Sequence, residues 1–308
     1  MSELNCVAIT GASGYVGRFV VVELAKHQVA IRALARKETN RDGFDTPIEW
    51  VEGTLRSKKA LAKLVNGADA VIHLAYQHAP GRYRGGEGDN LSGWLETNVN
   101  GSLKLLLAAR DAGVSRFLFL SSRAVFSRTL SGRVLDESHP ISPDTHYGAY
   151  KAAVEAMVRS FGHAGGMQTC SLRATGIYGM TYPLERSKWW DLVAQVAAGE
   201  PVQSTRAGTE VHGEDVARVI WELLVRPGRA DDIVHISDLI ISHRDIVRQT
   251  RAVLGQPGPL PAPPPAPPAN MLVCRRLQEL GIGLSGWPAF EQTISRLVGE
   301  IQRLKIHT

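Results

Sequence analysis

Through its first two thirds the chain alternates short apolar runs with longer stretches in which apolar residues recur every three to four positions. The apolar runs predict strands at Cys6–Thr10, Ala30–Ala35, Glu49–Val51, Ala70–Leu74, Arg116–Ser121 and Thr169–Arg173. Between them the helical period predicts helices over Arg18–His27, Lys58–Asn66, Thr97–Ala112 and Tyr147–Gly162. Strands lacking a polar face need cover on both sides, so the alternation predicts an α/β fold, a doubly wound parallel sheet between layers of helices. Past about residue 175 the rhythm changes. Helical patterns dominate at Leu184–Ala198, Gly213–Val225, His243–Leu254 and Phe290–Leu304, with short strands at Pro201–Val202 and Ile233–Ile236. Residues 1–175 are therefore expected to form one domain, and 176–308 a smaller, mostly helical, discontinuous lobe. The tract Gln256–Pro268, QPGPLPAPPPAPP, reads as an extended connector.

The first strand runs into Thr10-Gly11-Ala12-Ser13-Gly14-Tyr15-Val16-Gly17, where a helix begins near Tyr15. Glycine at 11 permits the tight turn, glycine at 14 lets backbone approach a pyrophosphate, and glycine at 17 lets helix and strand pack closely. The unpaired N–H groups and positive dipole of the helix start suit the same anion. At the end of the second strand, Ile31–Lys37 offers no acid for ribose hydroxyls and two adjacent cations, Arg36 and Lys37. That favours NADP over NAD, although the same two cations also read as a solvated loop.

Tyr147 and Lys151, in YGAYK, stand at i and i+4 on one helical face. An ammonium beside a phenol favours its ionised form, which suits Tyr147 to exchange a proton with a substrate oxygen while hydride moves. The strand Arg116–Leu120 ends in Ser121-Ser122, where strand ends of such a sheet carry the ligand crevice. A serine there can hold the same substrate oxygen or simply cap the strand.

In combination, these segments resemble the extended short-chain dehydrogenases/reductases, the NAD-dependent epimerase/dehydratase group. The resemblance rests on TGASGYVG (10–17), VIHLA (71–75), NVNG (98–101), FLSSRAVF (119–126), YGAYK (147–151) and RATGIYG (173–179), and more loosely on VHGEDVA (211–217). It implies a Rossmann-type fold with a C-terminal substrate lobe. It also implies a catalytic set of Ser122, Tyr147 and Lys151. Gly11, Ser13, Gly14, Tyr15, Val16, Gly17, Leu74, Ala75 and Asn98 would line the dinucleotide, and Tyr147 and Lys151 would meet its nicotinamide end. Thr54 stands where the group often has Asp; its hydroxyl can still meet the base, with Leu55 beside it. Homodimerisation through the 97–112 and 147–162 helices is the habit of the group.

Departures from the group's pattern narrow the expectation. Dehydratases carry an Asp-Glu pair after the catalytic hydroxyl residue, and here Arg123-Ala124 follows Ser122. Nucleotide-sugar epimerases place a diphosphate-binding Asn where this chain has Gly176, and an Arg where it has Gly208, with Arg206 nearby. The expected activity is hydride transfer between a nicotinamide cofactor and a small carbonyl or hydroxyl compound, sugar-like compounds included. A sugar or nucleotide-sugar epimerase is the alternative. A non-catalytic cofactor sensor would be expected to lose Tyr147 or Lys151, and both are kept. Candidate specificity segments are Tyr76–Trp94, with Arg82 and Arg84, and Met180–Trp190, with Trp189 and Trp190.

Composition adds exclusions. The net charge of +5 is spread along the 308 residues, without the basic block of a nucleic-acid partner. No apolar run of about 18 residues predicts a membrane span, and no basic start followed by an apolar stretch predicts a signal, so a cytoplasmic protein is expected. The three cysteines, Cys6, Cys170 and Cys274, have no metal-ligand spacing and read as core thiols; no metal is expected.

Overall fold

The computed structural model describes residues 4–306 apart from 80, 83–84, 227–230 and 266–270. Ten strands occur among these residues: β1 Cys6–Thr10, β2 Ala30–Ala35, β3 Glu49–Glu52, β4 Ala70–His73, β5 Arg116–Ser122, β6 Gln168–Ala174, β7 Gly176–Tyr178, β8 Ala207–His212, β9 Asp231–Ile236 and β10 Leu239–Ser242. The helices are α1 Tyr15–Lys26, α2 Lys58–Val65, α3 Leu91–Leu95, α4 Gly101–Asp111, α5 His146–His163, α6 Trp190–Ala197, α7 Gly213–Val225, α8 His243–Leu254, α9 Arg275–Glu279 and α10 Gly286–Ile306. A single π turn, Glu96–Asn100, joins α3 to α4.

Two compact units divide the chain. The first comprises Met1–Ala174, Val216–Ile236 and Leu272–Ile282. Its sheet runs β3-β2-β1-β4-β5-β6-β9, parallel throughout. Strand order reverses at β1, so the gap between the carboxyl ends of β1 and β4 is the switch point at which such sheets take ligands. The strands are apolar because both faces are covered. Val7, Ala8 and Ile9 of β1, Val71 and Ile72 of β4, and Phe117 and Phe119 of β5 are all fully buried. Each large side chain so buried contributes about 1.5–3 kcal/mol. Leu61 and Leu64 of α2 and Leu105 and Leu106 of α4 complete this core. Side-chain caps start three of its helices: Ser57 accepts from Ala60 N–H before α2, Asn90 from Gly93 N–H before α3, and Thr145 from Gly148 N–H before α5.

The second unit comprises Thr175–Asp215, Ser237–Met271 and Gly283–Thr308. A three-stranded sheet, β10-β8-β7, accompanies a helical core. Phe290, Ile294, Leu297 and Ile301 form the buried stripe of α10 at helical spacing, against Trp190, Val193 and Ile246. A capping box between Ser242 and Asp245 opens α8.

Several expectations differ from these elements. Residues 233–236 belong to β9 at the edge of the large sheet, and 216–236 and 272–282 return to the first unit, so the stretch 176–308 is not one lobe. Pro201–Val202 carries no strand, whereas β7, β8 and β10 were not expected. The helix expected at 184–198 becomes a 3₁₀ turn, Leu184–Arg186, and α6, because Trp189 takes a left-handed φ of 70° between them. Cys6 lies half-buried at the start of β1, while Cys170 and Cys274 are buried. Within the proline-rich tract the described residues 256–265 form no helix or strand, and 266–268 lie outside the described residues.

Candidate active site

The β1–α1 turn requires its glycines. Gly11 has φ +82°, and a Cβ on it would lie 2.7 Å from the Ala75 nitrogen, so the turn rests against the chain leaving β4. A Cβ on Gly17 would lie 2.1 Å from the Gly11 carbonyl oxygen, the close approach that a side chain forbids. Gly14 is the N-cap of α1 and no side chain caps that helix, which leaves its first N–H groups to an anion. Ser13, Tyr15 and Val16 are half-buried in the same turn, as are Leu74 and Ala75 opposite.

A buried chain of hydrogen bonds supports this turn. Ala75 N–H donates to Thr10 Oγ1 (3.3 Å), and Thr10 Oγ1 and His73 Nδ1 are 2.7 Å apart. His73 Nε2 lies 2.8 Å from Ser102 Oγ, which donates its proton to the Asn98 carbonyl. Because Ser102 gives its proton away, it must accept from His73 Nε2–H, which leaves Nδ1 to accept from Thr10. Every proton in the chain is thereby assigned, and the imidazole is neutral. Full burial, with the Lys151 charge nearby, holds its pKa down to about 3. Asn98 is fully buried, and its carboxamide is committed: Oδ1 accepts from Gln77 N–H (2.8 Å), and Nδ2 donates to the Gln77 and Trp94 carbonyls. It shapes the chain after β4 rather than presenting an open polar group.

At the ends of β5 and α5 the proposed chemistry residues gather. Ser122 Oγ accepts from Ala124 N–H (3.1 Å), a strand-end cap that leaves its own proton to donate. Ser121 donates to Glu155 instead. Tyr147 is half-buried, with its ring 4.9 Å from that of Tyr76. Lys151 is buried and donates from Nζ to the Leu120 carbonyl at 2.6 Å. Aromatic rings surround the ammonium: Phe119 at 4.6 Å, Tyr150 at 5.0 Å, Tyr76 at 5.7 Å and Tyr147 at 5.8 Å, centroid distances suited to cation–π attraction. Burial pulls the Lys151 pKa down to about 7, and the Glu155 charge acts against that fall.

The remaining expected residues lie on loops. Arg36 and Lys37 are exposed after β2, and Arg36 pairs with Glu38 at 3.3 Å, a carboxylate immediately beyond the run Ile31–Lys37. Thr54 is exposed and accepts from Arg56 N–H; Leu55 is buried against Gly101 at the start of α4. Arg82 is exposed, and Arg84 lies outside the described residues. In the second unit Trp189 and Trp190 pack in the core, the former stacked on Tyr178. There too, Glu210 is buried and paired with Lys188, and a Cβ on Gly176 would lie 2.4 Å from its carboxylate. Glu155, His73 and Tyr76 were not singled out from the sequence. Glu155 continues the four-residue spacing of Tyr147 and Lys151, and His73 interrupts an apolar strand; both signals were present. Among the described residues no cluster of His, Cys, Asp or Glu could hold a metal ion, and no helix is long and apolar enough to cross a membrane.

Known proteins share the fold of this chain. A UDP-glucose 4-epimerase of Streptomyces lividans is 28% identical over 250 residues, covering 78% of this chain and 71% of that protein. A 4-hydroxy-2-methyl-3-oxo-4-farnesyl-3,4-dihydroquinoline-1-oxide ketoreductase of Stigmatella aurantiaca is 30% identical over 174 residues, covering 56% of this chain and 50% of that one. The chain spans between about four-tenths and seven-tenths of the length of the curated relatives it matches. The fold matches that of the Thermus thermophilus UDP-glucose 4-epimerase, solved in complex with NAD, with a TM-score of 0.76 at 21% identity over 96% of this chain and 99% of that one. The profile of the NAD dependent epimerase/dehydratase family matches residues 7–237, and the chain belongs to that family.

Proposed function

We propose that the protein is an NAD(P)-dependent oxidoreductase acting on a small carbonyl or hydroxyl compound, with Tyr147 as the general acid/base. The observation that carries this reading is the half-buried Tyr147 phenol placed one turn from the buried, ring-enclosed Lys151 ammonium. The Gly11–Gly17 turn and the open start of α1 receive the pyrophosphate, with Leu74 and Ala75 as the facing wall. The dinucleotide, when bound, supplies or accepts the hydride. Ser122 donates to the substrate oxygen; Tyr147 gives that oxygen a proton on reduction or takes one on oxidation. Lys151 stabilises the phenolate by its charge.

Two features support a substrate without a nucleotide diphosphate. At the positions where the nucleotide-sugar enzymes would carry a polar side chain, Gly176 and Gly208 face the Glu210 carboxylate, at 2.4 Å and 3.1 Å from a Cβ built there. A negative charge in that place repels phosphate, and Lys188 is already engaged by it. NADP is favoured over NAD by the exposed Arg36 and Lys37, with Glu38 as the competitor for Arg36. A homodimer is favoured by Leu107 of α4 and Met157 of α5, apolar side chains that remain 40% and 44% exposed.

The similarity to UDP-glucose 4-epimerases favours a second reading, in which the same residues oxidise and reduce one substrate with no net cofactor change. Net oxidation of NADPH in the presence of a carbonyl substrate separates the two. Tyr147→Phe is expected to lower turnover by about 10²–10⁴-fold. In the same variant, titration is expected to give unchanged cofactor affinity and tighter NADPH than NADH. Retained turnover assigns the proton transfer elsewhere; tighter NADH removes the role of Arg36 and Lys37.

A further inference from the structure

Tyr147, Lys151 and Glu155 follow one another along α5 at four-residue spacing, on one face of the helix. Glu155 is 4% exposed and fully engaged. Arg173 of β6 donates Nε to both carboxylate oxygens, at 3.0 and 3.2 Å, and Nη2 to Oε2 at 2.8 Å. Ser121 of β5 donates to Oε1. Arg173 is itself 3% exposed, lies over the Phe126 ring and reaches His235 Nε2 of β9 at 3.4 Å. A buried ion pair of this kind seldom stabilises a fold more than an apolar pair of the same shape, so stability alone does not account for it. The neighbouring feature that does need a buried negative charge is the Lys151 ammonium.

We propose that Glu155 is a positioning residue for Lys151: its carboxylate, clamped by Arg173 and Ser121, keeps the buried ammonium charged and donating to the Leu120 carbonyl. The groups around Lys151 offer no substitute. Tyr76, after β4, and Tyr150, on α5, are pushed further from ionisation by burial. His73 of β4 is held neutral down to about 3, and the Phe119 ring of β5 and the Tyr147 phenol, in its neutral form, carry no charge. Among the described residues Glu155 is the one charge that favours the protonated amine. Arg173 on β6, and through it His235 on β9, complete the set that faces the carboxylate. Clamping also denies Glu155 the rotation that would bring it onto Lys151 as a direct partner, so the amine keeps its bond to Leu120.

The consequence for turnover rests on the reading of Lys151 given above; the charge coupling itself does not. Lysine side chains are labelled with ¹³C in the full-length protein, and the Lys151 resonance, identified by its loss in Lys151→Met, is titrated by NMR. In Glu155→Gln the midpoint is expected to fall by about one to three pH units, the usual influence of a close opposite charge. Glu155→Asp should recover part of the fall. Because Glu155→Gln leaves Arg173 without its partner, the double variant Glu155→Leu/Arg173→Met, which removes both charges, provides a second folded background, in which a smaller fall is expected because the opposing Arg173 cation is lost as well. An unchanged midpoint in either folded variant overturns the proposal. NADPH oxidation with 9,10-phenanthrenequinone as the carbonyl probe is followed against pH in parallel. A rate limb that moves with the lysine midpoint supports both readings. A lysine midpoint that falls while the rate limb stays in place sustains the role of Glu155 and overturns that of Lys151 in turnover.

Discussion

Two buried polar chains lie at the carboxyl ends of the large sheet, and they solve the same burial problem in opposite ways. The chain Ala75–Thr10–His73–Ser102–Asn98 is neutral: its donors and acceptors are matched link by link, and no charge needs compensation. The chain Ser121–Glu155–Arg173–His235 is ionic, and each charge depends on its partner. The neutral chain serves a turn whose task is to keep a fixed shape. The ionic one neighbours an amine whose proposed task depends on its charge. In the roles proposed above, the first network sets geometry and the second proton affinity.

The comparison is broken most severely by removing one member of the ionic chain. Arg173→Leu strands the Glu155 carboxylate at 5% side-chain exposure, and a loss of about 3–5 kcal/mol is expected in denaturant unfolding. Added salt should change the wild-type stability little, since a pair so buried is poorly screened. A comparable loss is expected from His73→Leu, which leaves the Thr10 proton and a Ser102 lone pair unmatched, about 1–3 kcal/mol per stranded group.

The same variant sharpens the comparison through pH. The imidazole of His73 binds a proton at its ordinary 6.5 in the unfolded chain but only at about 3 in the folded one. The unfolded state therefore gains protons first as pH falls, and stability should decline progressively from about 6.5 towards 3. His235, also held at about 3 by burial and by Arg173, adds to the decline. His73→Leu should flatten the acid limb without abolishing it, read by thermal unfolding at several pH values. The smallest effect belongs to Thr10→Val, which keeps the shape and deletes two links of the neutral chain, the long one from Ala75 N–H and the buried one to His73 Nδ1; about 1–3 kcal/mol is expected in denaturant unfolding, since only the Nδ1 acceptor is stranded in full burial.

Legibility in the sequence followed the same division. Strands β1 and β2 and helices α7 and α8 match the periodic reading to the residue, because a mostly apolar strand and an amphipathic helix each impose a strong period. The glycine turn was legible because a steric requirement admits one residue type. The short strands β7, β8 and β10 were not, since three to six residues with mixed burial carry little period. Ile233–Ile236 was found as a strand but placed in the wrong unit, for pairing with β6 is set by a long-range contact that no local pattern records. Within the candidate site, Tyr147 and Lys151 stood out by spacing. The roles of Glu155 and His73 did not, because a buried polar residue declares its purpose only through partners far along the chain, here 34 and 63 residues away.

The π turn at Glu96–Asn100 holds one residue more than a regular helix would need. The wider turn takes up that extra residue, so α3 and α4 keep close to the faces an uninterrupted helix would give them, with Trp94 3% exposed and its carbonyl on the Asn98 amide. A single deletion inside the turn would restore a regular helix, whereas one in the regular part of α4 would rotate the preceding residues by about 100° and swing Trp94 out of the core. Tolerance to length change along this stretch is therefore greatest at the turn itself.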